Sequence, residues 1–404
     1  MTTAFKIVGS DRLAECESPL RDWRVYDDAA HVAQSLQPDA PVFCYSAESL
    51  RARAQAFLDG FPGAVSYAVK ANSGPDVILA LAGAGMTVFD VASVEEMALV
   101  RSLVPRAVFH YHNPVKSRLE IATASSVYGC RRFAADDAQE VAKIAAVVGN
   151  ADGVEVAVRF RLAAHGASAH DFSSKFGATP EEAVGLLRQA VELGFAPVLT
   201  FHPGSQCLEP RAFARHIQEA ASIARQAGVE LTALNVGGGF PARYLAGPVP
   251  PLEDYFHVIG VAAEQAFGGN IPALECEPGR GLVAPAFSLL TRVKLVRPRR
   301  REVFINDGIY GALMEVSQAP VLMPLFRVLR DGRTLGGEAA AFTVYGPTCD
   351  PMDRLPAPLM LPAGIAEDDF IEFGAMGAYG AATATRFNGY EIKDTVPVRH
   401  TFAA

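Results

Sequence analysis

Between residues 64 and 281 the sequence alternates between two patterns, and no other feature constrains the fold as strongly. Short runs of β-branched and aromatic residues are followed by longer Ala-, Leu- and Glu-rich stretches with helical spacing. The predicted strands are Val65–Asn72, Thr87–Ser93, Ala107–Asn113, Arg131–Asp136, Val154–Arg161, Val198–Ser205, Leu231–Gly239 and Ala273–Arg280. Alternation repeated about eight times predicts a parallel (β/α)8 TIM-like barrel, to which we assign residues 41–282. An open doubly wound sheet is the alternative, but such sheets usually have fewer strands.

The pattern changes after residue 282. Four further strands are predicted, and they are separated by Pro- and Gly-rich turns without long helices. These strands are Phe287–Val296, Glu302–Asn306, Ala341–Tyr345 and Asp369–Phe373. These features predict a second, mostly β domain formed by residues 283–404. Residues 1–40 are assigned to it as well, because they lack convincing helical periodicity and are candidates for an additional strand.

Charge and cysteine content exclude several classes of function. The net charge is −8, so no basic field is present that would attract nucleic acid or an anionic membrane. No run of apolar residues reaches the roughly 18 that a membrane span requires, and the first ten residues lack the apolar core of a secretion signal. The six cysteines form no C-x-x-C pair, which favours a reducing cytoplasm and argues against a structural metal site.

Chemically active residues follow the predicted strands at nearly every position around the barrel. They are Lys70, Asp90, His112, Arg159, His202, Ser205, the glycines Gly237–Gly239 and the segment Glu277–Arg280. Because a parallel barrel presents its reactive side chains at the carboxyl ends of its strands, we expect these residues to converge on one rim.

Several of these positions suggest a phosphorylated, planar ligand that forms a covalent bond. Lys70 ends an apolar run, so it is either a lysine that reaches solvent or an amine of lowered pKa that can form a Schiff base with an aldehyde. The triglycine exposes backbone N–H groups that can bind a phosphate, and the Arg280 guanidinium suits the same ligand. His202 and Glu277 would face each other across the barrel, with the carboxylate keeping a ring nitrogen protonated.

Taken together, the strand-end motifs resemble those of one family. They are Tyr67–Asn72, Phe89–Ser93, Phe201–Ser205, Gly237–Pro241 and Glu277–Arg280, continued by Asn306–Gly311, Gly346–Asp350, Gly377–Tyr379 and Phe387–Gly389. In this order they resemble the fold-type III basic amino acid decarboxylases, the ornithine and diaminopimelate decarboxylase group, over about residues 40–390. The resemblance implies an alanine racemase-like barrel, pyridoxal 5′-phosphate (PLP) as cofactor, and a homodimer with two shared active sites.

The resemblance also implies roles for individual residues. Lys70 would hold the cofactor as a Schiff base, His202 would stack on its ring, and Glu277 would pair with the ring nitrogen. Phosphate and cofactor binding is implied for Ser205, Gly238, Gly239, Gly279, Arg280 and Tyr379, and organisation of the lysine and the cofactor face for Asp90, Glu96 and Arg159. Cys349 would return a proton to the substrate, and Cys349, Asp350 and Tyr310 would reach the site of the neighbouring subunit.

The substrate follows less directly from the motifs. The segment Cys349–Asp353 is similar to the ornithine branch, because diaminopimelate decarboxylases usually have Glu-Ser-Gly-Asp after the cysteine. Eukaryotic ornithine decarboxylases place a second amine-binding aspartate near the position of Ala319, so here either Glu315 substitutes or Asp350 acts alone. We therefore expect decarboxylation of a basic L-amino acid, L-ornithine to putrescine, with L-lysine or a related diamino acid as the alternative. A PLP-dependent racemase would have an arginine at the ring nitrogen, and a non-catalytic homologue would not require Lys70, Asp90 and Cys349.

Overall fold

The computed structural model describes residues 24–162 and 175–402. It begins with the helix α1 (Ala29–Leu36), the strand β1 (Val42–Tyr45) and the helix α2 (Ala47–Gly60). Eight parallel strands then close into a barrel in chain order: β2 (Ala64–Ala68), β3 (Val88–Val91), β4 (Val108–Tyr111), β5 (Arg132–Ala135), β6 (Glu155–Arg159), β7 (Ala196–Thr200), β8 (Ala233–Asn235) and β9 (Ala273–Cys276). The predicted barrel is confirmed.

Helices connect the barrel strands as the alternation predicts. They are α3 (Pro75–Gly83), α4 (Val94–Leu103), α5 (Arg118–Ser126), α6 (Ala138–Val148), α7 (Pro180–Glu192), α8 (Arg211–Ala227) and α9 (Leu252–Phe267). Local sequence fixes where several of them begin. Ser117 and Thr179 each form a capping box with a glutamate three residues later, which satisfies backbone N–H groups that the first helical turn leaves free.

A second sheet follows the short helix α10 (Arg280–Val283). Its strands are β10 (Phe287–Arg297), β11 (Glu302–Ile305), β12 (Phe326–Arg330), β13 (Arg333–Thr334), β14 (Ala339–Tyr345), β15 (Leu359–Pro362), β16 (Phe370–Phe373) and β17 (Asp394–Pro397), and the short helix α11 (Met314–Gln318) lies between β11 and β12. The strand order is β13-β12-β16-β10-β11-β14-β15, and β10 also pairs with β1. The expected mostly β second unit is therefore present.

The amino-terminal part differs from the expectation in two respects. Residues 29–36 form a helix, because Asp28 accepts a hydrogen bond from the backbone N–H of His31 at 3.0 Å and the small apolar face of α1 packs against the second sheet. The strand β1 pairs antiparallel with β10 and parallel with β17, so it belongs to the second sheet although we assigned residues from 41 onward to the barrel. Residues 1–23, where we also looked for a strand, lie outside the described part.

The interior of the barrel is layered. Inward-facing side chains repeat every second residue along a strand, so Glu275 lies one layer below Glu277 on β9, and His110 one layer below His112 on β4. In the lower layer Arg132 binds both Glu155, at 2.6 Å, and Glu275. Because these charges are paired with one another, they form a buried polar support beneath the rim.

The described helices include none that is both long and apolar enough to cross a membrane. The five described cysteines are free; four are buried and Cys349 is exposed, while Cys16 lies outside the described residues.

Candidate active site

A cavity of about 460 Å³ opens at the carboxyl ends of the barrel strands, beneath residues of the second sheet and its loops. All eleven residues expected to bind the cofactor line it: Lys70, Asp90, Arg159, His202, Ser205, Gly238, Gly239, Glu277, Gly279, Arg280 and Tyr379. Additional lining residues include His112, Lys175, Phe176, Glu315, Gln318 and Thr383. The strand-end residues therefore do converge on one rim.

Lys70 lies in a single turn of 3-10 helix directly after β2. Its side chain is about half exposed, at 48%, and its Nζ lies 3.6 Å from Oδ2 of Asp90. The Asp90 carboxylate raises the pKa of Lys70 above its ordinary value, and this attraction outweighs the effect of burial. Of the two alternatives for Lys70, the structure therefore favours the one in which the lysine reaches solvent, and it does not support a lowered pKa.

Asp90 is held in place by the turn that follows β3. Glu96 accepts a hydrogen bond from the backbone N–H of Ala92 at 2.6 Å, and Ser93 caps the helix α4. Burial raises the pKa of Asp90 to about 6, and the nearby charge of Glu277 adds to the rise. Glu96 thus fits its expected organising role, through the backbone next to Asp90.

Glu277 is buried close to Asp90 and His112 in the cavity. Asn235 donates an amide hydrogen bond to its Oε1 at 2.5 Å, and Nδ1 of His112 makes a very short contact with the same oxygen. Burial alone would raise the pKa of Glu277, but the charge and hydrogen bond of His112 and the charge of Lys70 lower it below its ordinary value. A carboxylate that stays charged in this position can keep a ring nitrogen protonated.

His202 is a neutral ring at the cavity wall. Burial, together with the charge of Arg159, lowers its pKa to about 3. Its Nδ1 accepts a hydrogen bond from the backbone N–H of Gly204 at 3.0 Å, so the single proton of the neutral ring is carried by Nε2. An uncharged imidazole can stack on a protonated pyridine ring without repelling it.

The glycines at the phosphate end are required by the space around them. A Cβ on Gly238 would lie 2.7 Å from the carbonyl oxygen of Glu277. Gly239 has a φ of +96°, and its Cβ would lie 2.5 Å from the carbonyl oxygen of Gly204. Only glycines allow the backbone to run this close to the cavity, and the bare backbone that results suits an anion.

Arg280 extends from the start of α10 along this backbone. Its Nε donates to Oγ of Ser205 at 3.2 Å and its Nη1 to the hydroxyl of Tyr244 at 2.8 Å, while Glu315 binds both terminal nitrogens. The guanidinium also lies over the ring of Tyr379, 5.0 Å from its centroid. A phosphate would have to share the donors of Arg280 with Glu315. Glu315 is therefore engaged with Arg280 in this structure, which argues against the expectation that it reads a distal amine.

The three residues expected to reach the neighbouring subunit's site do not line this cavity. Tyr310 donates a hydrogen bond from its hydroxyl to Oδ2 of Asp350 at 2.5 Å, and Met352 donates its backbone N–H to Oδ1 at 2.8 Å. Cys349 is exposed, with Sγ 3.4 Å from Oδ1 of Asn388. The hydrogen bond from Tyr310 lowers the pKa of Asp350, so this surface loop presents a charged carboxylate next to a thiol.

Sequence reasoning placed His112 at the rim but gave it no role, and it missed Asn235, Lys175 and Phe176 as neighbours of the site; it considered Glu315 only for the distal amine. Strand-end position was a signal for Asn235, which is the last residue of β8 and lies two residues before Gly237. Glu315 and Lys175 carry no such signal, because loops and a short helix bring them to the cavity.

The residues present fit PLP. The cavity combines an amine, a buried carboxylate whose Oε2 has no hydrogen bond from any described residue, a neutral ring for stacking, and a glycine backbone able to bind phosphate. A parallel barrel with this rim and a following β unit defines the class of fold-type III PLP enzymes.

Comparison with known proteins identifies the family within this class. Residues 47–284 match the family described as "Pyridoxal-dependent decarboxylase, pyridoxal binding domain". The chain belongs to this family, and it is a PLP-dependent carboxy-lyase that acts on a basic amino acid.

Similar proteins cover nearly the whole chain. The lysine/ornithine decarboxylase of Selenomonas ruminantium is 34% identical over 340 residues, which cover 82% of each chain. The ornithine decarboxylase of Panagrellus redivivus is 29% identical and covers 97% of this chain and 93% of its own. The crystal structure of lysine/ornithine decarboxylase from Vibrio vulnificus, complexed with putrescine, has a TM-score of 0.79 at 28% identity and covers 91% of this chain and 98% of that one.

Proposed function

We propose that this decarboxylase converts L-ornithine to putrescine and CO2, and that it does so as a cytoplasmic homodimer whose subunits complete each other's active sites. The observation that carries the substrate assignment is Asp350, a charged carboxylate fixed by Tyr310 and located beside Cys349. A substrate ammonium needs a paired charge once it leaves water, and a fixed carboxylate supplies it. The names of the relatives support the same choice of substrate.

The location of this loop supports the dimer. Cys349, Asp350 and Tyr310 lie outside the lining of the cavity that holds Lys70 in the same chain. Around them the surface exposes large apolar side chains, Met352 at 63% and Phe387 at 42%. A second subunit that covers this face would bury those side chains and bring the thiol and carboxylate to its own cofactor.

PLP, when bound, supplies an aldehyde that accepts the substrate amine and a ring that takes up the electron pair left when CO2 departs. Glu277 keeps its charge at the ring nitrogen, and His202 covers the face of the ring. Ser205, Arg280 and the glycine backbone hold the phosphate. Lys70 releases and takes back protons at Nζ beside Asp90. The thiol of Cys349 returns a proton to the α-carbon, and Asp350 holds the distal ammonium.

L-lysine is the second candidate substrate. Ala319 has no carboxylate to fix the distance at which the distal amine binds, and the relative from Selenomonas ruminantium is named for both substrates. A longer side chain would also contact Asp350, so the two substrates are expected to differ in rate rather than in the residues they use.

Asp350→Asn is expected to lower kcat/KM for L-ornithine by roughly 10–150-fold, because a charge-assisted hydrogen bond is lost. The asparagine amide oxygen can accept only one of the two hydrogen bonds that Tyr310 and Met352 donate to Asp350, so a second substrate must separate loss of the charge from a change in the loop. The loss should be far smaller for norvaline, which lacks the distal amine. Equal losses for both substrates would mean that Asp350 orders the loop and does not bind the amine.

The variant Ala319→Asp tests whether the segment after Tyr310 lines the pocket for the distal amine. Unchanged kinetics with ornithine in this variant would place that segment outside the pocket.

Two inactive variants are expected to complement each other if the active sites are shared. A dimer of one Lys70→Ala subunit and one Cys349→Ala subunit would contain one site with both lesions and one with neither. Random exchange should restore about a quarter of wild-type activity, since half of the dimers are mixed and each has one intact site. No recovery, with mixed dimers verified by differently tagged subunits, would place the Cys349 loop in its own subunit's site.

A further inference from the structure

His112 lies at the floor of the cavity and has no part in the assignments above. It directly follows β4, its side chain is 6% exposed, and its Nδ1 contacts Oε1 of Glu277. The same nitrogen lies 3.9 Å from Oδ1 of Asp90. Its Nε2 is buried and has no hydrogen-bond partner among the described residues. One ring nitrogen thus contacts Glu277, and the other has no partner in the part of the chain that the structure describes.

The contact between His112 and Glu277 crosses the interior of the barrel. Their strands, β4 and β9, are separated by β2 and β3 in the closed sheet, so backbone pairing does not fix the distance between the two side chains. The contact between the two side chains therefore links β4 to β9 directly. His110, in the layer below, lies with its ring centroid 5.5 Å from that of His112 and supports it from beneath.

Both donors to Glu277 converge on one oxygen. Asn235 and His112 each contact Oε1, and no described residue donates to Oε2. Two N–H groups on the same oxygen fix the rotation of the carboxylate about its last bond, so Oε2 has a defined direction. They also stabilise the negative charge, which burial and the neighbouring carboxylate of Asp90 would otherwise disfavour.

We propose that His112 is a positioning residue for the cofactor ring. It donates Nδ1–H to Oε1 of Glu277 and thereby holds Oε2 charged and aimed at the ring nitrogen. The inference rests on the assignment of Glu277 to that nitrogen and is independent of which amino acid is the substrate. In this arrangement Glu277 would bind the ring nitrogen through Oε2 and His112 through Oε1, so hydrogen bonds would connect the cofactor ring to the end of β4.

A metal ion is the competing explanation for this cluster. One ligand atom each from Asp90, His112 and Glu277 lies within 4.8 Å of the others, which is close enough for a shared ion. Glu277, however, already accepts two N–H donors, and Asp90 pairs with Lys70. These pairings account for the charges without an ion, so we assign the cluster to positioning.

The test compares the affinity of the full-length apoprotein for PLP and for deaza-PLP, in which C–H replaces the ring nitrogen. The wild type should prefer PLP. His112→Phe keeps a buried ring without the donor and should reduce this preference about tenfold, the equivalent of about 1.4 kcal/mol. His112→Asn, whose amide N–H can take the place of Nδ1–H, should retain most of the preference. Because binding is measured, the result does not depend on turnover.

Two further variants make the outcome specific. Tyr111→Phe changes the neighbouring buried ring on β4, which does not line the cavity, and it should leave the preference for PLP unchanged. Glu277→Gln should abolish the preference. If Glu277→Gln leaves the preference for PLP unchanged, the assignment of Glu277 itself is wrong. If Glu277→Gln abolishes the preference but His112→Phe leaves it unchanged, only the role of His112 is overturned. The role of His112 would also be overturned if the purified wild type contained stoichiometric metal and if removing this metal with a chelator abolished the preference for PLP. If His112→Phe does not fold, His112→Leu replaces it in the same comparison.

Discussion

Lys70→Ala is expected to abolish covalent attachment of the cofactor and to lower kcat by about 10³-fold or more, in line with the roughly 10²–10⁴ that a positioned acid–base group contributes. The variant loses the only amine that lies at the end of β2 and faces Asp90, 3.6 Å away. Absorbance of the bound cofactor and the rate of CO2 release measure the two losses separately.

Lys175 provides a matched control, because it is a second lysine that lines the same cavity. Its Nζ lies over the ring of Phe176, 4.8 Å from the centroid, and not beside Asp90. Lys175→Ala should therefore keep the covalent link. Reduction of the wild type with borohydride, followed by peptide mapping, should label Lys70. A label on Lys175, or attachment that persists in Lys70→Ala, would contradict the account of the site.

Glu277→Gln is expected to lower kcat by roughly 100-fold or more, about 2.7 kcal/mol at 1.36 kcal/mol for each factor of ten. The amide has the shape of the carboxylate but lacks the charge that keeps the ring nitrogen protonated. The reaction needs that proton when electron density moves into the ring, so the loss should appear in kcat even when the cofactor is bound.

Glu275→Gln is the control for the loss of a buried charge. Glu275 lies one layer lower on the same strand, pairs with Arg132, and does not line the cavity. This variant should lose stability, measured as Tm, while its kcat stays close to that of the wild type. Near-normal kcat in Glu277→Gln with bound cofactor would contradict the role of the carboxylate, and an equal fall in both variants would indicate a general effect of buried charge.

The barrel could be predicted because its sequence signal is local and repeated. Each strand and each helix has its own periodic pattern of apolar residues. The glycines, the lysine and the carboxylates of the site come directly after these strands in the sequence. The second sheet was harder, because β13 has only two residues and β12 carries Arg327 and Arg330 within its five residues, so neither has a long apolar run. The helices α1 and α2 were missed because each buries few large apolar side chains, Val32 in α1 and Leu50 and Phe57 in α2, which leaves a weak apolar periodicity in the sequence.

Contacts between distant parts of the chain account for what the sequence did not reveal. The pKa of Lys70 depends on Asp90, which is on the next strand, and the sequence alone does not give their distance. The partner of Glu315 is Arg280, and that pair forms only once α11 packs over the rim of the barrel. His112 and Glu277 meet across the interior because β4 and β9 face each other in the closed barrel.

The most direct test of the central claim measures CO2 release by the wild-type protein loaded with PLP. The substrates are L-ornithine, L-lysine, L-arginine, meso-diaminopimelate and the D-isomers of the first three, and each amine product is identified. We expect the highest kcat/KM for L-ornithine with putrescine as product, a lower value for L-lysine, and no turnover of the D-isomers. A higher kcat/KM for L-arginine or diaminopimelate, or no CO2 from any of these substrates, would contradict the proposed function.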